Sequence, residues 1–217
     1  MLILAKPPVT GGAITYVNQG IAQMSYANTS NLYFTAPIGA GHTVIVGCKN
    51  TNNLTLSSLT DDKGNNYPTR GQVGQIMAFT GSGLIGGATV LTINWTAGGA
   101  SFGAIWYTEY SGGVFDQWNG LQQNWPGGGA DLITSGAITT TQPGELIWGM
   151  TTTGNNFATG GRAGTGFTQR LNQAPPSNEA FVITEDMIQA AAGPVAATFT
   201  DPSGSGWTYY THVIALK

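Results

Sequence analysis

Short runs of β-branched and aromatic residues, each closed by Gly, Asn, Pro or Ser, follow one another along almost the whole chain. That punctuation is the signal of an all-β protein. Strands are predicted near residues 13–17, 31–35, 43–49, 66–71, 75–80, 89–96 and 102–110. A second set follows near 132–140, 145–152, 165–171, 180–190, 195–200 and 207–216. Leu91, Ile93 and Trp95 share one face, as do Phe102, Ala104 and Trp106, so the period is two. Ile105 and Tyr107, lying between, are also apolar, which predicts that some strands are covered on both sides. Ala180, Ile183, Met187, Ala190 and Ala191 also fit a helical stripe that Ser177 would cap. The internal repeat described next favours a strand there.

The two halves of the sequence read alike. Thr43-Val-Ile-Val-Gly-Cys-Lys-Asn-Thr51 lies beside Glu145-Leu-Ile-Trp-Gly-Met-Thr-Thr-Thr153, and Tyr67-Pro-Thr-Arg70 beside Phe167-Thr-Gln-Arg170. Asn94-Trp95-Thr96 is echoed by Thr198-Phe199-Thr200, and Trp106-Tyr107-Thr108 by Trp207-Thr208-Tyr209. Under this alignment 185–191 takes the part of 75–80. Two blocks of about five strands each predict two sheets packed face to face, each half contributing a Greek-key-like unit. The stretch 111–131 joins the blocks and reads as a long exposed loop anchored by Phe115, Leu121 and Trp125; residues 153–164 read as a second long loop.

Only 8% of the residues are charged, so the surface must be made largely of Thr, Asn, Gln, Ser and Gly. The 217 residues suit one all-β domain, since such domains run to roughly 200–250 residues. We assign residues 13–217 to that domain and 1–12, with Pro7-Pro8 and Gly11-Gly12, to an extended arm. The seven Lys and Arg are scattered, which argues against nucleic acid as a partner. No stretch approaches the ~20 apolar residues of a membrane span, and Met1-Leu-Ile-Leu-Ala-Lys6 lacks the order of a signal peptide. Cys48 is the single cysteine, in phase with Val44 and Val46, and reads as a buried, inert thiol.

Catalytic signatures are sparse. Glu109 and Asp116 are the carboxylates that a glycosidase reading would use, with Asp61-Asp62 as a further doublet. Most acids lie in turn-like contexts, where side-chain capping accounts for them. Asp61-Asp-Lys-Gly-Asn-Asn66 is oxygen-rich around a glycine but lacks the later acidic ligand of an EF-hand, so an Asx-type turn is the plainer reading. His42 and His212 show no paired spacing, and no nucleophile elbow is present. No catalytic residue, metal ligand or cofactor is assigned. Three sequons, at Asn28, Asn53 and Asn94, are what a chain rich in Asn and Thr produces by composition.

Aromatics supply the candidate binding residues. Trp118 and Trp125 have Asn119 and Gln122 between them, a set able to stack on a sugar ring and bond its hydroxyls. The same residues fit two other roles, anchoring the 111–131 segment onto the sheet or forming a subunit contact. Trp95, Trp106, Trp148 and Trp207 sit at strand positions and are expected in the core.

Leu59-Thr-Asp-Asp-Lys-Gly-Asn-Asn-Tyr67, Tyr107-Thr-Glu-Tyr-Ser-Gly112, Gly144-Glu-Leu-Ile-Trp-Gly149 and Gly166-Phe-Thr-Gln-Arg170 together resemble a jelly-roll module. That module recurs in bacterial extracellular proteins and in phage virion proteins. The resemblance spans roughly 36–217 and implies adhesive or structural work with no catalytic residues to carry over. The expected function is therefore a non-enzymatic surface component of a phage-like particle, a decoration or fibre protein, on the virion surface or outside the cell. Its partners would be copies of itself or other particle proteins. A carbohydrate-binding module and a glycoside hydrolase are the alternatives.

Overall fold

A computed structural model describes residues 13–50, 54–96, 101–153, 161–173, 181–202 and 207–217. The arm assigned to 1–12 lies outside them. The first half holds β1 (Thr15–Ala27), β2 (Thr29–Tyr33), β3 (Thr43–Lys49), β4 (Leu56–Asp61), β5 (Thr69–Val73), β6 (Ile76–Gly81), β7 (Val90–Trp95) and β8 (Ser101–Ser111). The second holds β9 (Phe115–Asn124), β10 (Asp131–Thr134), β11 (Ile138–Thr140), β12 (Leu146–Thr153), β13 (Arg162–Ala163), β14 (Thr168–Gln173), β15 (Val182–Ile188), β16 (Gly193–Val195), β17 (Thr198–Asp201) and β18 (Thr208–Leu216). The segment 182–188 is a strand and not the helical alternative, but the register sets Thr80 against Asp186, so 185–191 is not the counterpart of 75–80.

Each half winds in the same order. Its large sheet runs β1-β8-β3-β6-β5 in the first half and β9-β18-β12-β15-β14 in the second. The small sheets run β2-β7-β4 and β10-β17-β13, and the second half adds the pair β11-β16. The protein is thus an all-β, jelly-roll sandwich of two similar halves. The two five-stranded sheets face each other, and each carries its small sheet on the outside.

Three apolar cores fill the gaps between layers. Val44, Val46, Leu91 and Ile93 lie in the first half's outer core, and Ile147, Ile183, Phe199 and Val213 in the second's. Between the large sheets lie Ile45, Trp106, Trp148 and Ile214. Strands β3 and β12 are buried along their whole length because both of their faces are covered, which is why residues 44–48 and 146–150 read as apolar runs. At the centre the Trp106 indole lies flat over Gly47, where a Cβ would come within 2.3 Å of it. Only glycine allows that approach.

The pleat corrects the alignment of the halves by one residue. Gly41 and Gly144 each take positive φ, 76° and 84°, just before β3 and β12. Thr43 therefore answers Leu146, which puts Ile45 and Trp148 together in the central core. Setting Gly47 against Gly149 would pair Ile45 with Ile147, which faces the opposite core. A slip of one residue inverts every side chain. Likewise Thr43 pairs with Tyr110 and Leu146 with Leu216, so Trp106 answers His212, not Trp207.

The segment 115–124 is a strand, not the loop expected. β9 pairs with β18 from Thr208–Asn124 to Leu216–Phe115. Its outward positions carry amides where a strand over a core usually carries apolar groups. Gln117 donates to the Thr139 carbonyl, Asn119 donates to that of Ala137, and Gln123 accepts from the Thr134 amide. Polar composition here marks a strand bonded side-on to the outer layer.

Candidate interaction surfaces

The residues singled out for ligand binding do not converge. Trp118 packs against the central core, its indole over Gly71, and its Nε1 donates to Nδ1 of His212 at 2.9 Å. Trp125 packs against the second half's outer core, and its backbone N–H donates to the Trp207 carbonyl. Asn119 is held to Ala137, and Gln122 alone is exposed. The two indoles therefore serve different cores and form no common platform. Of the remaining tryptophans, Trp95, Trp106 and Trp148 are buried, and Trp207 packs on the outer core of its half.

His212 is fully buried, and burial pushes its imidazole down to about 3, so the ring is neutral. With Nδ1 accepting from Trp118, the proton of the neutral ring sits on Nε2. Cys48 is buried as well, and burial pushes its thiol up to about 12, which makes it a poor nucleophile.

Carboxylates, scarce to begin with, are mostly inside: seven of the ten acidic residues are buried. That inverts the usual preference for exposure and leaves few carboxylates on the surface of the described residues. Each ties segments together. Glu109 accepts from His42 Nδ1 at 2.6 Å, the Gly39 amide at 2.9 Å and Asn18 Nδ2 at 2.8 Å. Glu145 accepts from the amides of Thr141 and Gln142 and closes their turn. Asp61 caps its own loop through the amides of Lys63 and Asn65 and takes the Tyr67 hydroxyl, the Asx-type arrangement. Asp131 and Asp201, opposite each other on β10 and β17, both lie against the Tyr209 hydroxyl. Asp116 pairs with Lys217, while Glu109 is bonded to His42. No group of three metal-ligating side chains is found among the described residues.

Two surfaces stand out. The first is a cavity of about 870 Å³ at one end of the sandwich. There the chain enters at Ile14, crosses between halves at Val114 and ends at Lys217. Val114 and Ile188 on its walls are 50% and 51% exposed. Reciprocal backbone hydrogen bonds of 2.9 Å between Val114 and Lys217 fix that corner. A second, smaller cavity of about 450 Å³ continues from Ile14 and Ile188 toward Arg170.

The second is the outer face of β2-β7-β4. Strand β2 alternates strictly, with Thr29, Asn31 and Tyr33 outward and Ser30 and Leu32 inward. Across the sheet this makes the rows Thr29–Asn94–Ser58 and Asn31–Thr92–Thr60. Thr29 donates to Asn94, Asn94 to Ser58, and Thr92 to Asn31, at 2.7, 2.9 and 3.0 Å. Sequence reasoning missed this face because β4 was not predicted as a strand.

No family model matches the chain, and no curated protein matches it. Among solved structures, it is similar to the major capsid protein P2 of Bacteriophage PM2, at 8% identity and a TM-score of 0.27, covering 92% of this chain and 98% of that one. It is also similar to a chain from the atomic structure of Sulfolobus Turreted Icosahedral Virus, at 11% identity and a TM-score of 0.27, covering 94% and 91%. Overlaps this slight carry no argument about function, and the capsid role remains that of the first protein.

Proposed function

We propose that this protein is a non-enzymatic surface component of a phage-like particle, such as a decoration or fibre protein, working through contacts between copies of itself or with other particle proteins. The observation that carries the reading is the end cavity, with Val114 and Ile188 half exposed on its walls. Apolar side chains displayed around a concavity, in surroundings poor in charge, suit a protein contact. Ala13, the first of the described residues, also lines this cavity. The acids support the reading from the other side, because they act as clamps within the fold. Such a protein would work on the particle surface or outside the cell.

Native mass by light scattering tests the proposal. The unaltered chain is expected to associate. Val114→Asp with Ile188→Asp is expected to give monomers with an unchanged β circular dichroism spectrum. A chain that is monomeric at all concentrations and in all mixtures with particle proteins, or an oligomer indifferent to both substitutions, overturns it.

A further inference from the structure

We infer that the outer face of β2-β7-β4 is a binding surface for a neutral polysaccharide. The inference is independent of subunit assembly.

The face is built on a rigid base. Leu32, Leu59, Leu91 and Ile93 on the inward side of the same strands are buried in the first half's outer core. Outward residues therefore stand in fixed rows, ~4.8 Å apart between strands and roughly 6.8 Å apart along each strand. Their mutual hydrogen bonds hold the amides and hydroxyls in place before any ligand arrives. Preorganisation of this kind lowers the entropy cost of binding. Asn31 accepts from Thr92 through Oδ1, and its Nδ2 has no acceptor among the described residues, which leaves two N–H donors for a ligand.

Charge and shape select the ligand. None of the outward positions Thr29, Asn31, Ser58, Thr60, Thr92 and Asn94 is charged. Just past β4, Asp62 is occupied by the Thr89 amide and hydroxyl, which hold it below the usual carboxylate range. A sulfated or uronic-acid glycan would find no counter-charge here. A protein partner would lack an apolar centre and would have to desolvate a field of polar groups. A neutral polysaccharide replaces each of those water contacts with a hydroxyl. Tyr33, 72% exposed on the same face as Asn31, supplies an apolar ring against which a sugar can lie.

The array is not a general consequence of the fold. The matching face of β10-β17-β13 sets Leu132, 65% exposed, and the exposed Arg162 on either side of Thr200.

Affinity electrophoresis of the full chain in gels containing β-glucan, galactomannan or alginate tests the proposal. Retardation by at least one neutral polysaccharide, unchanged between low and high salt, is expected. The Tyr33→Ala, Asn31→Ala, Thr92→Ala triple variant should lose at least tenfold in affinity with its melting temperature and native mass kept. Tyr33→Ala alone should show a partial loss, and Thr134→Ala with Thr198→Ala on the other outer sheet should show none. Retardation by alginate alone, by no neutral polysaccharide, or equally in the triple variant overturns the inference. Native mass is read separately, so either proposal can fail without the other.

Discussion

Arg170 lies over the ring of Tyr16, its guanidinium carbon 4.2 Å from the ring centroid. The repeat carries the same contact in reverse: Arg70 lies 3.9 Å over Phe115. Arg70 and Arg170 occupy the edge strands β5 and β14, while Tyr16 and Phe115 open β1 and β9. Each half thus reaches across the central core with an arginine and offers an aromatic ring in return. That reciprocity belongs to a two-fold, isologous contact, here made within one chain.

The two arginines are not equally held. Arg170 Nε donates to Asp186 at 2.8 Å, and the same carboxylate oxygen accepts from the Tyr110 hydroxyl on the opposing sheet. In the first half Thr80 stands where Asp186 does; among the described residues its hydroxyl and Arg70 Nε both lack a partner, and Arg70 bonds only the Thr80 carbonyl. Asp186→Ala strands a buried hydroxyl and a guanidinium and is expected to cost about 3 kcal/mol. Arg70→Ala loses chiefly a cation–π contact, about 1 kcal/mol. Urea unfolding of the two variants measures the difference, and equal losses would deny the asymmetry.

Gly47→Ala drives a Cβ to within 2.3 Å of the Trp106 indole at the centre of the molecule. Trp106 is fully buried between two sheets and has nowhere to move, so a loss of about 3 kcal/mol or more is expected. Gly71→Ala meets Trp118 as closely, at 2.1 Å, but that ring sits at the edge of the core and can shift outward. Its cost should be clearly smaller, and thermal melting of both variants compares them.

The one-residue alternation in 91–95 and 102–110, the apolar runs of β3 and β12, and the duplication were all legible, because each depends only on which residues must face inward. Four layers were harder to see than two, although Ile105 and Tyr107 already marked strands covered on both sides. Strand β9 was hidden because Gln117, Asn119 and Gln123 satisfy backbone groups where apolar residues would have announced a strand. The buried acids were hidden for a related reason: Glu109 and Asp186 find partners 67 and 76 residues away, and no local pattern records such a match. For Trp118 the alternatives open in the sequence all began from an indole in a loop, whereas the ring belongs to a strand beneath which Gly71 makes room.

Trp118→Phe keeps the packing but leaves Nδ1 of the buried His212 without its donor. The expected cost is about 1–3 kcal/mol in urea unfolding. Retardation in the neutral polysaccharide gels should be unchanged, since Trp118 is not on the β2-β7-β4 face. A stability equal to that of the unaltered chain would mean that the 2.9 Å contact contributes nothing.

Glu185 and His212 give stability opposite dependences on pH. Glu185 is fully buried, and although the Gly164 and Thr198 amides donate to its oxygens, burial outweighs them and pushes its carboxyl up to about 8. A carboxyl raised above its unfolded value of about 4.5 binds its proton more tightly in the folded state. Its contribution is complete below that value and is lost as pH rises toward 8. His212, lowered to about 3 from 6.5, contributes fully above 6.5 and loses that contribution as pH falls toward 3. Between about 4.5 and 6.5 the two trends oppose each other, and from 6.5 to 8 Glu185 acts alone. Stability should therefore fall by about 1–2 kcal/mol across that upper window, at 1.36 kcal/mol per pH unit for one proton. Glu185→Gln should flatten the melting temperature between pH 6.5 and 8 while leaving the decline below pH 4.5 in place. A decline from 6.5 to 8 that persists undiminished in Glu185→Gln would assign that proton to another group.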